Sequence, residues 1–247
     1  MNPADHPVHP AARSAAAPAA DRPAAAPPSG TAARFAPTGT GLYAIFTAVM
    51  AVVLILSNIG ASKGVTFGPI ITDGGFFLFP LAYIIGDVVS EVYGFRASRR
   101  AIITTFVLSA FAAGCYWVII ALPGAEWYDG QDALARTLAP VPLIVLASLL
   151  GFLVGQLANS WLMVRLKRRA GERRLFGRIA ASTLVGEFLD TLVFCSIAAG
   201  VIGITDVPTF LNYVVVGFVF KAVVEIVLSP VTMWVIGRVK RAEPAYA

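Results

Sequence analysis

Six ionisable side chains stand in stretches of sequence that are otherwise oily: Asp87 and Glu91, Glu187 and Asp190, Lys221 and Glu225. An ionised group costs about 2.5–3.5 kcal/mol at the centre of a membrane helix even on the gentler insertion scale, so each needs a reason to be there. Spacing supplies one. Tyr83, Asp87 and Glu91 recur every four residues and share one helical face. Thr183, Glu187 and Asp190, with Thr191 beside them, form a second polar face, and Gly217, Lys221, Glu225 and Ser229 form a third. Three such stripes on three helices can converge on one cavity, with Gly186 and Gly217 allowing close approach. Asn58, Gln156 and Asn159 add amides in similar surroundings.

These groups have a purely structural use as well. Lys221 can neutralise Glu225 one turn away, or Glu187 or Asp87 across a bundle, and polar contacts between helices are common glue in membranes. Glu91 also fits the cytoplasmic boundary of its helix. One lysine against five acids nevertheless leaves surplus carboxylates, which must be protonated, hydrated or matched to a ligand. Carboxylates accept hydrogen bonds and can take donors in pairs. The adjacent N–H groups on the Watson–Crick edge of a guanine-like base suit that geometry, and a cationic amine suits the surplus charge. The expected substrate site therefore comprises Asn58, Tyr83, Asp87, Glu91, Gln156, Asn159, Glu187, Asp190, Lys221 and Glu225. Phe79, Tyr83, Phe188 or Phe194 offers a stacking face, although packing explains each aromatic as readily.

The elements that must position these groups are membrane helices. The chain has 247 residues, 57% of them hydrophobic and only 13% charged, with a mean hydropathy of +0.77. That is far more apolar than a soluble domain, which is about a quarter charged. Apolar stretches run over residues 41–61, 76–94, 99–121, 141–164, 177–203 and 210–237. Each is long enough for the roughly 20 helical residues that cross a bilayer. The expected fold is an all-α membrane protein with six transmembrane helices, its membrane domain spanning residues 41–240. Residues 1–40 hold half of the prolines and almost no large apolar side chains. Such a segment cannot repay its ordering entropy and is expected to be disordered, and it lacks the continuous apolar core of a signal peptide. The Gly-rich connection 62–75, with β-branched residues around Gly68 and Pro69, suggests a short hairpin dipping toward the cavity.

Charge sets the orientation. Arg13, Arg22 and Arg34 precede the first helix, and Arg96, Arg99 and Arg100 lie in the second connection. Arg165, Lys167, Arg168, Arg169, Arg173, Arg174 and Arg178 crowd the fourth, and Arg238, Lys240 and Arg241 the tail. The other side has only Lys63 and Arg136, with Glu126, Asp129 and Asp132 beside them. The positive-inside rule places both termini in the cytoplasm of an inner-membrane protein. The net charge of +5 is explained by this bias, without a nucleic-acid partner. His6 and His9 lie in the polar head, and Cys115 and Cys195 have no metal-ligand spacing, so neither metal nor cofactor is expected.

The halves echo each other at a spacing of about 100 residues: Gly86-Asp87 matches Gly186-Glu187, and Ser57-Asn58 loosely matches Asn159-Ser160. Three helices per half would invert the second half relative to the first, a 3+3 inverted-topology repeat with its site near the midplane.

Ser57-Asn58 with Lys63, Phe79-Pro80-Leu81 with Tyr83, Asp87, Glu91-Val92-Tyr93-Gly94 with Ala97, Gly186-Glu187-Phe188-Leu189-Asp190-Thr191, then Lys221 and Pro230 together form a pattern that resembles the queuosine precursor transporter family, also called the vitamin uptake transporter family. The resemblance covers about residues 41–240. It implies a six-helix inner-membrane protein importing 7-cyano- and 7-aminomethyl-7-deazaguanine for queuosine synthesis. On that implication Glu187 or Asp87 clamps the base edge, Lys221 holds the 6-oxo oxygen or balances the acids, and Asn58, Gln156 and Asn159 complete a polar ring. Six helices can act alone or as a homodimer.

Two rival readings remain open on sequence. A substrate-binding subunit of an energy-coupling-factor vitamin transporter is also a small six-helix protein; the chain has no GxxxxGK[ST] phosphate loop and does not hydrolyse ATP itself. An intramembrane aspartyl hydrolase could use Asp87 with Glu187 or Asp190 as a dyad. No nucleophile–base set appears for it in the sequence, and a purely structural or assembly membrane protein would not explain the surplus of carboxylates.

Overall fold

A computed structural model of the chain describes residues 33–39, 41–67, 70–75, 77–138, 142–200 and 203–246. Most of the Ala/Pro-rich head, for which disorder is expected, lies outside the described residues, as does the Gly68-Pro69 pair.

The described chain is helical except for one hairpin. In order it comprises α1 (Gly41–Gly60), β1 (Gly64–Phe67), β2 (Ile70–Asp73), α2 (Phe79–Ala121), α3 (Gln131–Leu138), α4 (Pro142–Ala170), α5 (Leu175–Ala198) and α6 (Val207–Ala242), closed by a 3-10 turn at Pro244–Tyr246. Five of these helices, α1, α2, α4, α5 and α6, are long and apolar enough to cross a membrane. Their large hydrophobic side chains are widely exposed, including Val52, Phe111, Val216 and Val227, while carboxylates and amides occupy the interior. A bundle with oil outside and polar groups inside is built for lipid rather than water.

The main departure from the expected element list is at residues 76–94 and 99–121. They form one continuous element, α2, and no loop carries Arg96, Arg99 and Arg100. The break is a single residue: Gly94 has φ 80° and ψ 174°, outside helical space, and helix resumes directly after it. Only glycine adopts that φ at low cost. A side chain there would also strike the Phe35 ring, at 3.1 Å from an added Cβ. The kinked element thus behaves as two helices hinged at Gly94. Pro80 sits in the first turn of α2, where a missing N–H costs nothing. Asp206 caps α6 by accepting from the Thr209 amide at 2.9 Å, followed by Pro208 in the first turn.

The connection 62–75 does form a hairpin. β1 and β2 pair antiparallel, Gly64 opposite Asp73 and Phe67 opposite Ile70. Its base is pinned to α1 where Gly60 and Gly74 meet so closely that a Cβ on Gly60 would lie 2.9 Å from the Gly74 carbonyl oxygen.

The first half of α2 is the central post of the bundle, buried at every residue from Ala82 to Gly94. Around it stand α1, α4 and α6, with α5 packed hard against α4. The α4–α5 seam is made by Gly151, Gly155 and Gly186. A Cβ on Gly186 would meet Asn159 Cβ at 2.8 Å, and one on Gly155 would meet Asp190 Cβ and the Tyr83 hydroxyl, each at 2.7 Å. Small residues at a membrane helix interface allow this backbone approach, and here they set the distances between the polar side chains of α2, α4 and α5.

Candidate functional site

Polar side chains from four helices converge beside the central post. From α2 come Tyr83 and Asp87, from α4 Gln156 and Asn159, from α5 Glu187 and Asp190, and from α6 Lys221 and Glu225. Glu187, Gln156 and Asn159 are fully buried, and Asp87 and Glu225 nearly so. Lys221 alone of this group has a partly exposed side chain, at 28%.

Within the cluster the bonds are few. Asn159 Nδ2 donates to Asp87 Oδ1 at 2.7 Å. Lys221 Nζ donates to Asp190 Oδ2 at 2.6 Å and sits 4.1 Å from the centre of the Phe79 ring. It stands 4.0 Å from Glu187 Oε2. The direct partner of Lys221 is therefore Asp190, one helix over, instead of Glu225, Glu187 or Asp87. Lys221 and Glu225 lie one turn apart, yet the helix face that carries them turns the ammonium toward α5.

Many oxygens are left unpartnered among the described residues. Both carboxylate oxygens of Glu187 have no hydrogen bond, nor do Asp87 Oδ2, Glu225 Oε1, Gln156 Oε1, Asn159 Oδ1, the Tyr83 hydroxyl and the hydroxyls of Thr183 and Thr191. Buried polar groups are normally satisfied, and those that are not point to a ligand, a water or a proton. The set is dominated by acceptors, so the complementary ligand is a donor of hydrogen bonds.

Two expected members are not brought in. Asn58 Oδ1 accepts from the Ser148 hydroxyl at 3.1 Å and lines a separate cleft with Ile55, Ser109, Tyr116 and Thr137. Glu91, one turn beyond Asp87 on the expected face, belongs to a second buried cluster. Arg178 clasps it in a bidentate pair at 2.9 and 3.0 Å, Lys240 at 2.6 Å and Lys167 at 3.3 Å. Its charge is more than matched, which leaves nothing for a ligand to satisfy.

This second cluster closes the end of the bundle where both described termini meet. Lys167 Nζ donates to the carbonyls of Arg34 and Glu91, each at 2.7 Å, and to the Tyr246 hydroxyl at 2.9 Å. Glu172, in the turn between α4 and α5, bonds Lys240 and lies 3.0 Å from Lys167. Partial burial pushes the Glu172 carboxyl up, but the hydrogen bonds and charges of Lys240 and Lys167 outweigh this and hold it below the usual carboxylate range. The Ala36 amide donates to the Val92 carbonyl at 2.8 Å, so the segment before α1 packs onto the kink. Between the two clusters the hydroxyls of Ser90, Ser98 and Ser160 lie 2.7–3.0 Å from one another. By sequence Lys167, Arg178 and Lys240 belong to topology alone; nothing local distinguishes the buried Lys167 and Arg178 and the half-buried Lys240 from their exposed neighbours Arg168, Arg174 and Arg241.

Comparison with known proteins gives the arrangement a context. The family described as "Putative vitamin uptake transporter" matches residues 73–235, most of the helical bundle. A "Queuosine precursor transporter" of Escherichia coli (strain K12) is 30% identical over 127 residues, covering 51% of this chain and 55% of that protein. A "Probable queuosine precursor transporter" of Bacillus subtilis (strain 168) is 23% identical over 177 residues, covering 71% and 76%. The match thus spans little more than half the length of the Escherichia coli relative. No solved structure matches the chain.

Proposed function

Since the chain belongs to the vitamin uptake transporter family, we propose that it imports queuosine precursors, the 7-cyano- and 7-aminomethyl-7-deazaguanine bases, and seats them on buried carboxylates. The observation that carries this reading is Glu187: fully buried, with neither carboxylate oxygen hydrogen-bonded, while the nearest cation is held by Asp190. A guanine-like edge presents two adjacent N–H donors, the complement of such a carboxylate. Asp87, steadied by Asn159, offers a second acceptor. Lys221, the exposed member, meets the 6-oxo oxygen, and Tyr83 and Gln156 close the ring. All of these residues come from one chain, so the seat does not require a second copy.

The same reading counts six spans. At about 1.5 Å per residue, α2 would be roughly 64 Å long if straight, twice the ~30 Å hydrocarbon core. Its kink at Gly94 lets it cross twice. That division makes three helices up to Ala121 and three from α4 to α6, which fits an inverted 3+3 repeat in an inner membrane. The arginine-rich ends, with both termini, then face the cytoplasm.

Uptake of labelled 7-cyano-7-deazaguanine by cells expressing Glu187→Gln or Asp87→Asn at wild-type levels tests the seat. Each lost charge-assisted hydrogen-bond pair is worth about 1.5–3 kcal/mol, so a fall of about tenfold or more is expected. Near-normal uptake by both variants would remove the carboxylate seat. Uptake by the purified chain alone in liposomes distinguishes a self-sufficient importer from a subunit awaiting an ATPase.

A further inference from the structure

We propose that import is coupled to protons and that Glu225 of α6 is the residue that carries the proton; this rests on the import reading above. Four acids, Asp87, Glu187, Asp190 and Glu225, share a buried cluster with one cation, Lys221. Asp190 takes that cation at 2.6 Å. Of the three remaining carboxyls, Asp87 has an amide donor in Asn159, and Glu187 is the seat for the donor edge of the base. Glu225 is left with no donor for its buried Oε1. It lies within electrostatic reach of Glu187, Asp87 and Lys221. Among the described residues the other titratable group that faces it is the Tyr83 hydroxyl of α2, which is itself buried and has no hydrogen-bond partner. The α4 wall contributes amides, Gln156 and Asn159, and no charge.

Three further anions beside the Lys221–Asp190 pair, with Lys221 4.0 Å from the nearest of them, are costly to hold together, because each disfavours the ionisation of the others and burial penalises every charge. The 7-cyano base, which brings only a neutral donor edge, does not remove the excess. A proton does. On the outer side, Glu225 takes a proton from hydronium, leaving water and a neutral carboxylic acid. The base can then bind Glu187 without a third anion beside it. On the cytoplasmic side the acid returns its proton to water, and the renewed repulsion favours departure of the base. The base gains and loses no atoms, and one proton moves with each molecule.

The test uses the purified full chain in liposomes containing the pH dye pyranine. Addition of 7-cyano-7-deazaguanine outside is expected to acidify the lumen by about one proton per base entering. An inward gradient of one pH unit is expected to raise accumulated base about tenfold, and a sodium gradient to have no effect. Glu225→Gln, which mimics the protonated acid, loses both proton signals; Glu225→Asp keeps them with a displaced pH dependence and serves as the folding control. Entry of base without acidification, accumulation that follows sodium, or a proton response that survives in Glu225→Gln each overturns the assignment. Failure of the base to enter at all overturns the import reading, and this inference with it.

Discussion

At the scale of single residues, Glu91 and Glu187 illustrate how alike buried carboxylates can differ in use. Both are fully buried on helices that face the bundle interior. Glu91 has three cations around it, Lys167, Arg178 and Lys240, and Glu187 has two free oxygens. Removing one partner of a buried ion network strands the others and costs about 3–5 kcal/mol. Glu91→Ala is therefore expected to lower the thermal unfolding midpoint sharply in detergent, while Glu187→Gln leaves it level or higher because no hydrogen bond is lost and Lys221 keeps Asp190. A Glu91→Ala protein as stable as its parent would show that the three cations find other company. Glu172 belongs to the same network, and its depressed carboxyl contributes stability that is present above its unfolded pKa and lost as pH falls through the lower folded one.

At the scale of elements, the decisive contact is the α4–α5 seam. Gly155 and Gly186 bring the two backbones so close that Asp190 and the Tyr83 hydroxyl crowd the space a side chain would need. Forcing bulk into a packed interface costs about 1–3 kcal/mol and moves the helices apart. Gly155→Leu is expected to reduce uptake by about tenfold or more through displacement of Asp190 and Tyr83. Gly177→Leu, on α5 and with open space around it, leaves uptake unchanged. Equal effects from the two substitutions, measured at matched expression, would deny the seam its role in placing the site.

At the scale of the whole molecule, two buried polar clusters are stacked along the central half of α2, one unsatisfied and one closed by ion pairs. The number of crossings decides which compartments they face. Single cysteines placed at Lys63 and Asp129, with Cys115 and Cys195 replaced, test this directly. If α2 crosses twice, both label with an impermeant thiol reagent from the outside. If it crosses once, the two positions label from opposite sides, and the six-span arrangement falls.

Much of this was legible in the residues themselves. Hydropathy is a local property, so the long apolar helices could be read from runs of side chains, and the misplaced polar groups on α2, α5 and α6 announced themselves by their cost in oil. The hairpin at 64–73 followed from its β-branched residues and flanking glycines. What the chain order could not reveal was partnership. Lys221 chooses Asp190, 31 positions away, over an acid one turn along its own helix, and Lys240 reaches Glu91 across 149 positions. Those choices depend on helix rotation and on the glycine seam, which only packing determines. The left-handed kink at Gly94 is of the same kind: a glycine permits it, but the Phe35 ring lying over that residue belongs to a segment nearly 60 positions earlier. Sequence by itself determined which groups would be expensive to bury; tertiary structure decided which of them were compensated and which were left waiting, because compensation is a matter of distance between helices.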